Sequence, residues 1–172
     1  LEFMDSASLK LIRSQLGEDF PSAAEAMLMI EVDDSKQGIT AAVEAIQQAA
    51  QNSGNLEIKI AASQAEQEQL WAARKILSPR LREIAPKKIN EDIVVPVSRI
   101  PALIQTIEQL SAAHQIQIAN FGHAGNGNLH TNLLVNPDDP EEIERAEACL
   151  DQLFTAVLKL KGSISGEHGI GL

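Results

Sequence analysis

The sequence predicts an α+β domain of ferredoxin-like character, in which helices cover an antiparallel or mixed sheet. Two observations support this fold class. Two β-α-β passages can be followed along the 172 residues, and a glycine-rich turn at 122–127 joins two neighbouring strands. Because that turn is too short to contain a crossover helix, the two strands should be antiparallel. A doubly wound parallel sheet is therefore the less favoured alternative.

The first third of the chain is predicted to form a strand, a helix and a second strand. An apolar run at 27–33 is typical of a strand, and apolar residues recur at helical spacing over 39–50. Hydrophobic and charged residues alternate over 56–60, which predicts a half-buried strand.

A long helix is expected to follow, because Ser63 and Glu66 form a capping box. This helix runs through Leu77, and Pro79 should bend or end it. Residues 80–92 are expected to be irregular or a weaker helical continuation. The remaining predicted elements are a strand at 93–97, a helix at 98–113, strands at 116–121 and 129–135, a helix at 140–161 and a short strand at 163–165.

Composition and charge exclude several classes of protein. The 24 acidic residues outnumber the 14 basic ones and give a net charge of −10, so nucleic acid and anionic membranes are poor partners. A single cysteine, Cys149, rules out an internal disulfide and a cysteine-rich metal site. No apolar run approaches the roughly 18 residues of a membrane span, and no signal-peptide pattern opens the chain. We expect a soluble, cytoplasmic domain.

The first candidate site is the glycine-rich segment Gly122–His130. His123 and His130 flank its turn, so folding can bring the two imidazoles face to face. Strand alternation also places Asn128, His130 and Asn132 on one face of the second strand. Three hydrogen-bonding side chains in a row are unusual for a core. The alternative interpretation is a solvated hairpin whose histidines are surface residues.

The second candidate site is the segment 162–171, in which four glycines surround Glu167 and His168. Glu167 would complete a set of two histidines and one carboxylate with His123 and His130, a combination that suits zinc, manganese or iron. His168 would point elsewhere and remain available as an acid or base. The alternative is a flexible glycine tail with exposed charges.

A third signal is Arg74, which shares a helical stripe with Leu70, Trp71 and Leu77. An arginine in an apolar stripe either extends to the rim or holds an anion in a cleft. Its guanidinium is suited to bidentate binding of a carboxylate.

The two glycine-histidine segments resemble the C-terminal domain of FAD-linked 2-hydroxy-acid oxidoreductases. This group contains the FAD-binding subunit of glycolate oxidase, D-lactate dehydrogenase and D-2-hydroxyglutarate dehydrogenase. The resemblance covers almost the whole chain. Further matching segments are Leu1–Asp5, Trp71–Arg74 and Glu91–Pro96 with Arg99.

The resemblance implies that a separate N-terminal domain, absent from this chain, holds most of the FAD. The present domain would cap the isoalloxazine ring and supply the pocket for a small 2-hydroxy acid such as glycolate or D-lactate. The usual chain also continues past Leu172, so this sequence is expected to be an excised or remnant domain that is inactive alone. The implied partners are its own FAD-binding domain and other oxidase subunits, and the second implied cofactor is a divalent metal, zinc or manganese.

The same resemblance assigns a role to each candidate residue. Two positions depart from the family's pattern: Asn126 stands where the family often has Asp, and Asn90 near where some members have a second basic substrate contact. The second departure puts recognition of a dicarboxylate in question. The implied metal ligands are His123, His130 and Glu167; the base is His168; and the substrate contacts are Arg74 and Asn128.

Two other functions remain alternatives at this point. One is a self-contained metal hydrolase built on His123, His130 and Glu167, and the other is a non-catalytic ferredoxin-like module that pairs through its sheet edge or helices. The upstream coding sequence distinguishes them from the flavoenzyme hypothesis, which requires a flavin-binding domain there.

Overall fold

A five-stranded antiparallel sheet forms the centre of the molecule in the computed structural model, which describes residues 1–51, 54–85 and 87–169. The spatial order is β2-β1-β4-β5-β3, and every neighbouring pair is antiparallel. The predicted α+β class and the antiparallel hairpin are confirmed. The strands are β1 (Glu2–Asp5), β2 (Ala26–Met29), β3 (Lys87–Val94), β4 (Gln117–Gly122) and β5 (Asn128–Val135).

Five α-helices accompany the sheet in the described part of the chain. Within that part, no helix combines the length and the apolar character that a membrane crossing needs. The helices are α1 (Ser6–Leu11), α2 (Lys36–Ala50), α3 (Gln64–Ile84), α4 (Ile100–His114) and α5 (Pro140–Lys159).

The second half of the chain has the ferredoxin-like connectivity. β3, α4, β4, β5 and α5 follow one another, and Ser163 then forms an antiparallel bridge with Val94 on the free side of β3. The predicted last strand at 163–165 is thus reduced to a single bridge. β1 and β2 extend this unit on the side of β4.

Each face of the sheet has its own apolar core. One core packs α4 and α5 against residues such as Ile93, Leu129 and Leu133, all of which are fully buried. The other packs α1 and α3 against the opposite face. This second core covers only part of its face. Its largest fully buried side chains are Met4, Leu9, Ile12, Leu77 and Leu81.

The predicted strand at 56–60 is wrong. Leu56 and Ile60 are 59% and 49% exposed, and among the described residues this segment pairs with no strand. Alternation shows which side chains could share a face, but a strand also needs a neighbour whose hydrogen-bonding edge is free. The preceding prediction at 27–33 is only partly correct, since β2 ends at Met29.

The region after Ser63 also differs from the prediction. α3 continues through Pro79 to Ile84, so this proline does not end the helix. Residues 87–94 then form β3, where the sequence predicts irregular structure, and the strand predicted at 93–97 ends at Val94. β1 and α1 were not predicted as elements at all. The short length of β1 and the polar residues of β3 conceal the hydrophobic pattern on which strand prediction depends.

Candidate functional site

The candidate site lies on the α3 side of the sheet, next to the second apolar core. Leu129 and Leu133 of β5 are buried against α4 and α5 on the opposite side. Strand alternation therefore turns Asn128, His130 and Asn132 toward the α3 side, as the sequence predicts.

The two segments singled out in the sequence meet at this place. His123, His130 and Glu167 each offer one ligand atom, and these three atoms lie within 4.8 Å of one another. The His123 and His130 rings stand edge to face with centroids 5.5 Å apart. Nε2 of His123 is 3.9 Å from Oε1 of Glu167.

This cluster is open on one side. The His123 and Glu167 side chains are 40% and 51% exposed, whereas His130 is 15% exposed. Burial lowers the pKa of His130, which keeps its imidazole neutral and therefore able to bind a metal. Around zinc, ligand atoms about 2.0–2.1 Å from the metal would stand roughly 3.4 Å apart in a tetrahedron. The observed spacing thus fits a metal after a contraction of at most about 1.4 Å.

Glu2 orients two of the predicted residues at once. Its Oε2 accepts a hydrogen bond from Nε of Arg74 at 2.9 Å, and its Oε1 pairs with Nδ1 of His123. Burial acts to raise the pKa of Glu2, but the hydrogen bonds with Arg74 and His123 outweigh it, and the pKa is lowered. An ionised Glu2 on Nδ1 leaves Nε2 of His123 facing the cluster, as in many metal-binding histidines.

Arg74 is held in place on both sides of its guanidinium. Its Cζ lies 4.4 Å from the ring centroid of Phe121, and its side chain is only 17% exposed. Within the described ranges, Nη1 and Nη2 have no hydrogen-bond partner. The guanidinium is therefore held at the site while two of its nitrogens remain unpaired within the described part of the chain, so its fork can donate hydrogen bonds to a carboxylate.

Asp92 of β3 joins the loop after α5 to the sheet. Its Oδ2 accepts three consecutive backbone N–H groups, from Gly166 at 3.1 Å, from Glu167, and from His168 at 2.9 Å. Its Oδ1 accepts Nδ2 of Asn128 at 2.6 Å. Burial acts to raise the pKa of Asp92, but these hydrogen bonds outweigh it and hold the pKa low.

His168 lies beside His130, with ring centroids 5.9 Å apart. Asp92, His130 and His168 form a second group whose possible ligand atoms also lie within 4.8 Å of one another. Because Asp92 is already occupied by four hydrogen bonds, the group with Glu167 is better suited to hold a metal. The sequence predicts that His168 points elsewhere than the three proposed metal ligands. In the structure its ring nevertheless lies beside His130, next to the cluster.

Asn128 is buried, and the loop after α5 packs closely against its side chain. Its Nδ2 is engaged by Asp92, while its buried Oδ1 has no partner among the residues that the structure describes. A Cβ at Gly166 would lie 2.0 Å from Nδ2 of Asn128, so only glycine lets the loop approach this closely.

Comparison with known proteins identifies the family of this chain. A family model described as "FAD linked oxidases, C-terminal domain" matches residues 1–172. The chain belongs to this family.

Named relatives of this FAD-linked oxidase domain are longer proteins. The glycolate oxidase subunits GlcD of Escherichia coli strain K12 and of Bacillus subtilis strain 168 are each 32% identical over 171 residues, which is 99% of this chain and 34% and 36% of those proteins. A probable mitochondrial D-lactate dehydrogenase of Danio rerio is 25% identical over 174 residues, which is 100% of this chain and 35% of that protein. The chain thus spans about a third of the length of these relatives.

A cavity of about 420 Å³ opens along β3 in this FAD-linked oxidase domain, and His168 and Asp92 form part of its wall. It lies next to the cluster, so a small molecule there could contact His168. Part of the glycine-histidine motif, residues 170 and 171, lies outside the described residues. The cavity lining is Asn90, Glu91, Asp92, Phe154, Ile164, Ser165, His168 and Gly169.

Sequence reasoning missed two residues of the site, Glu2 and Asp92. Both lie in segments that carry the family resemblance, Leu1–Asp5 and Glu91–Pro96, and this was the only signal available. Neither residue has a partner nearby in sequence, because the contacts of Asp92 are with amides 74 to 76 positions away.

Proposed function

We propose that this chain is the substrate- and metal-binding domain of an FAD-dependent oxidoreductase that oxidises a small 2-hydroxy acid. Glycolate and D-lactate are the proposed substrates, since relatives are named for glycolate oxidase and D-lactate dehydrogenase. The observation that carries the proposal is the meeting of His123, His130 and Glu167 at one open face of the sheet.

In this proposal His123, His130 and Glu167 hold a divalent cation, zinc or manganese. Two neutral imidazoles and one carboxylate leave coordination positions free, which is typical of a catalytic rather than a structural site. The bound cation would supply Lewis acidity that lowers the pKa of the substrate hydroxyl.

Arg74 and Asn128 are the proposed substrate contacts. The free fork of Arg74 would bind the substrate carboxylate through Nη1 and Nη2, and Glu2 and Phe121 fix its direction. The buried Oδ1 of Asn128 would accept a hydrogen bond once the substrate fills the space beside it. A carboxylate held in this way fixes the orientation of the substrate C–H bond.

His168 is the proposed base that removes the hydroxyl proton. It lies at the wall of the cavity and beside His130, within reach of a molecule bound at the cluster. The α-hydrogen would leave as hydride to the flavin of a separate FAD-binding domain. That domain would correspond to the roughly two thirds of the relatives' length that this chain does not span. Other oxidase subunits are further proposed partners.

Elemental analysis of the complete flavoenzyme tests the metal, together with activity after chelation and after readdition of zinc or manganese. His123→Ala, His130→Ala and Glu167→Gln should each lower kcat/KM at least about 100-fold, because the charge stabilisation supplied by the metal is lost. The matched control is His114→Ala, at the end of α4 and away from the site.

Full activity in a metal-free preparation would contradict the metal role and leave His168 as the base, with His123 and His130 as polar contacts. Hydrolytic activity of the chain without flavin would instead favour the metal hydrolase. A chain without either activity, in a gene that encodes no flavin-binding domain, would favour the non-catalytic module.

A further inference from the structure

Asp92 contacts several residues of the candidate site, although the proposed function gives it no role. Its buried carboxylate touches the loop that carries Glu167 and His168, the side chain of Asn128, and, at 3.8 Å, Nδ1 of His130. Each of these neighbours has a proposed part in catalysis, whereas Asp92 itself has none.

The loop at 166–168 approaches Asp92 through its backbone alone. The backbone N–H groups of three consecutive residues converge on one oxygen, Oδ2 of Asp92. The first of them, the Gly166 amide, is shared between this oxygen at 3.1 Å and the backbone carbonyl oxygen of Asp92 at 2.8 Å. Successive amides that point to one anion form a concave anion-binding loop, and here the anion is the carboxylate of β3. Asp92 thus contacts this loop through its carboxylate at three amides and through its backbone carbonyl at Gly166.

Two side chains depend on the conformation of this loop. Glu167 and His168 are adjacent in sequence, so their backbone amides set the direction in which each side chain leaves the loop. Glu167 reaches His123, and His168 stands beside His130. A loop released from Asp92 would lose the backbone anchor of both residues together. Among the described contacts, only the 3.9 Å contact of Glu167 with His123 and the ring contact of His168 with His130 would then remain.

We infer that Asp92 is a positioning residue, which sets the metal ligand Glu167, the base His168 and the substrate contact Asn128 in register with His130. This inference rests on the proposed function for the roles of those residues, but the attachment of the loop can be measured without metal or flavin. Carboxylates that orient ligands from outside the ligand set typically contribute about 10–100-fold to metal affinity or activity.

The first measurement is amide hydrogen exchange, resolved by NMR, in the metal-free 172-residue chain. Asp92→Ala should speed exchange at Glu167 and His168 about tenfold or more, since their charge-assisted hydrogen bonds are lost. Gly166 should stay more protected than these two, because its amide keeps the hydrogen bond with the Asp92 backbone carbonyl, and β4 and β5 should also remain protected. The matched control is Asp139→Ala, which removes a carboxylate that accepts two amides at the start of α5, away from the site.

The second measurement is Zn²⁺ affinity of the complete enzyme, by competition with a fluorescent chelator. Asp92→Ala should weaken Zn²⁺ binding about 10–100-fold, whereas Asp139→Ala should leave it unchanged. If Asp92→Ala does not fold, Asp92→Asn decides by the same two measurements, because it keeps the size and one acceptor oxygen.

Unchanged exchange at Glu167 and His168, or unchanged Zn²⁺ affinity, would overturn the inference. A wild-type enzyme that binds no Zn²⁺ would contradict the proposed function instead. The exchange measurement would then still decide whether Asp92 holds the loop.

Discussion

The position of the Arg74 guanidinium depends on side chains that lie far from it in the sequence. Its helical stripe left two interpretations open, and the structure adds that Glu2 and Phe121 hold the guanidinium in place. Both partners come from distant strands, so a stripe on one helix could not have revealed them. For the same reason Asp92 was not predicted, since its main partners are backbone amides, which every residue possesses.

Replacing Arg74 should weaken binding of the substrate carboxylate in the complete enzyme. Arg74→Ala should raise KM for glycolate or D-lactate about 10–100-fold, because a charge-assisted bidentate contact is lost. Arg74→Lys should recover only part of this, since lysine keeps the charge but not the fork. Steady-state kinetics with each substrate makes the measurement.

The control for this series is Arg82→Ala, on the same helix but exposed. If Arg74→Ala leaves KM at the wild-type value while Arg82→Ala does the same, Arg74 serves only to pack against Phe121. The assignment of a substrate contact to this residue would then be abandoned.

At the scale of elements, prediction from the sequence succeeds where burial alone decides the structure. α2, α4, α5 and the β4–β5 hairpin were expected because their apolar spacing or their glycine turn is strong. β3 was recognised only at its end, within the strand predicted at 93–97, since Lys88, Asn90 and Asp92 occupy the face that a purely structural strand would fill with apolar residues. The polar side chains of the candidate site thus obscured the hydrophobic alternation of this strand.

The turn of the β4–β5 hairpin depends on Gly127. Its φ is +76°, and an added Cβ would lie 1.9 Å from the carbonyl oxygen of Val95. Gly127→Ala should therefore cost more than the roughly 1–3 kcal/mol of a strained backbone angle, because the turn must also move away from Val95. Thermal unfolding of the chain, followed by circular dichroism, measures the loss.

Gly17→Ala separates the two effects, since Gly17 has φ +85° but nothing within 4 Å of an added Cβ. With about 2–4 °C per kcal/mol for a chain of this size, Gly127→Ala should lower Tm by at least twice as much as Gly17→Ala. Equal shifts in the two variants would mean that the contact with Val95 has no energetic effect.

At the scale of the whole molecule, the domain offers one half of a proposed reaction centre. Its open cluster, its cavity along β3 and its net charge of −10 are suited to a small substrate and a cation rather than to the pyrophosphate of a dinucleotide. The fold class and the meeting of the two glycine-histidine segments could be foreseen from the sequence. The carboxylates that hold this meeting together could not.

The isolated chain should therefore bind FAD weakly and be inactive toward 2-hydroxy acids. A titration with FAD followed by flavin fluorescence should show no saturation at equimolar ratio, whereas the complete enzyme, as the positive control, should contain bound flavin. Saturation of the isolated chain at one equivalent would show that this domain holds the dinucleotide by itself, against the proposed division of work.

The site is built from both extremes of the described chain, with Glu2 in the first strand and Glu167 beyond the last helix. The two residues are therefore added to the chain at different times during synthesis. A ribosome releases the amino end first, at about 5–20 residues per second, so all five strands emerge before the loop at 166–168 exists. A nascent or prematurely ended chain can thus complete its sheet while it still lacks Glu167 and His168. The chemistry proposed for this domain becomes available only when synthesis has passed the loop at 166–168.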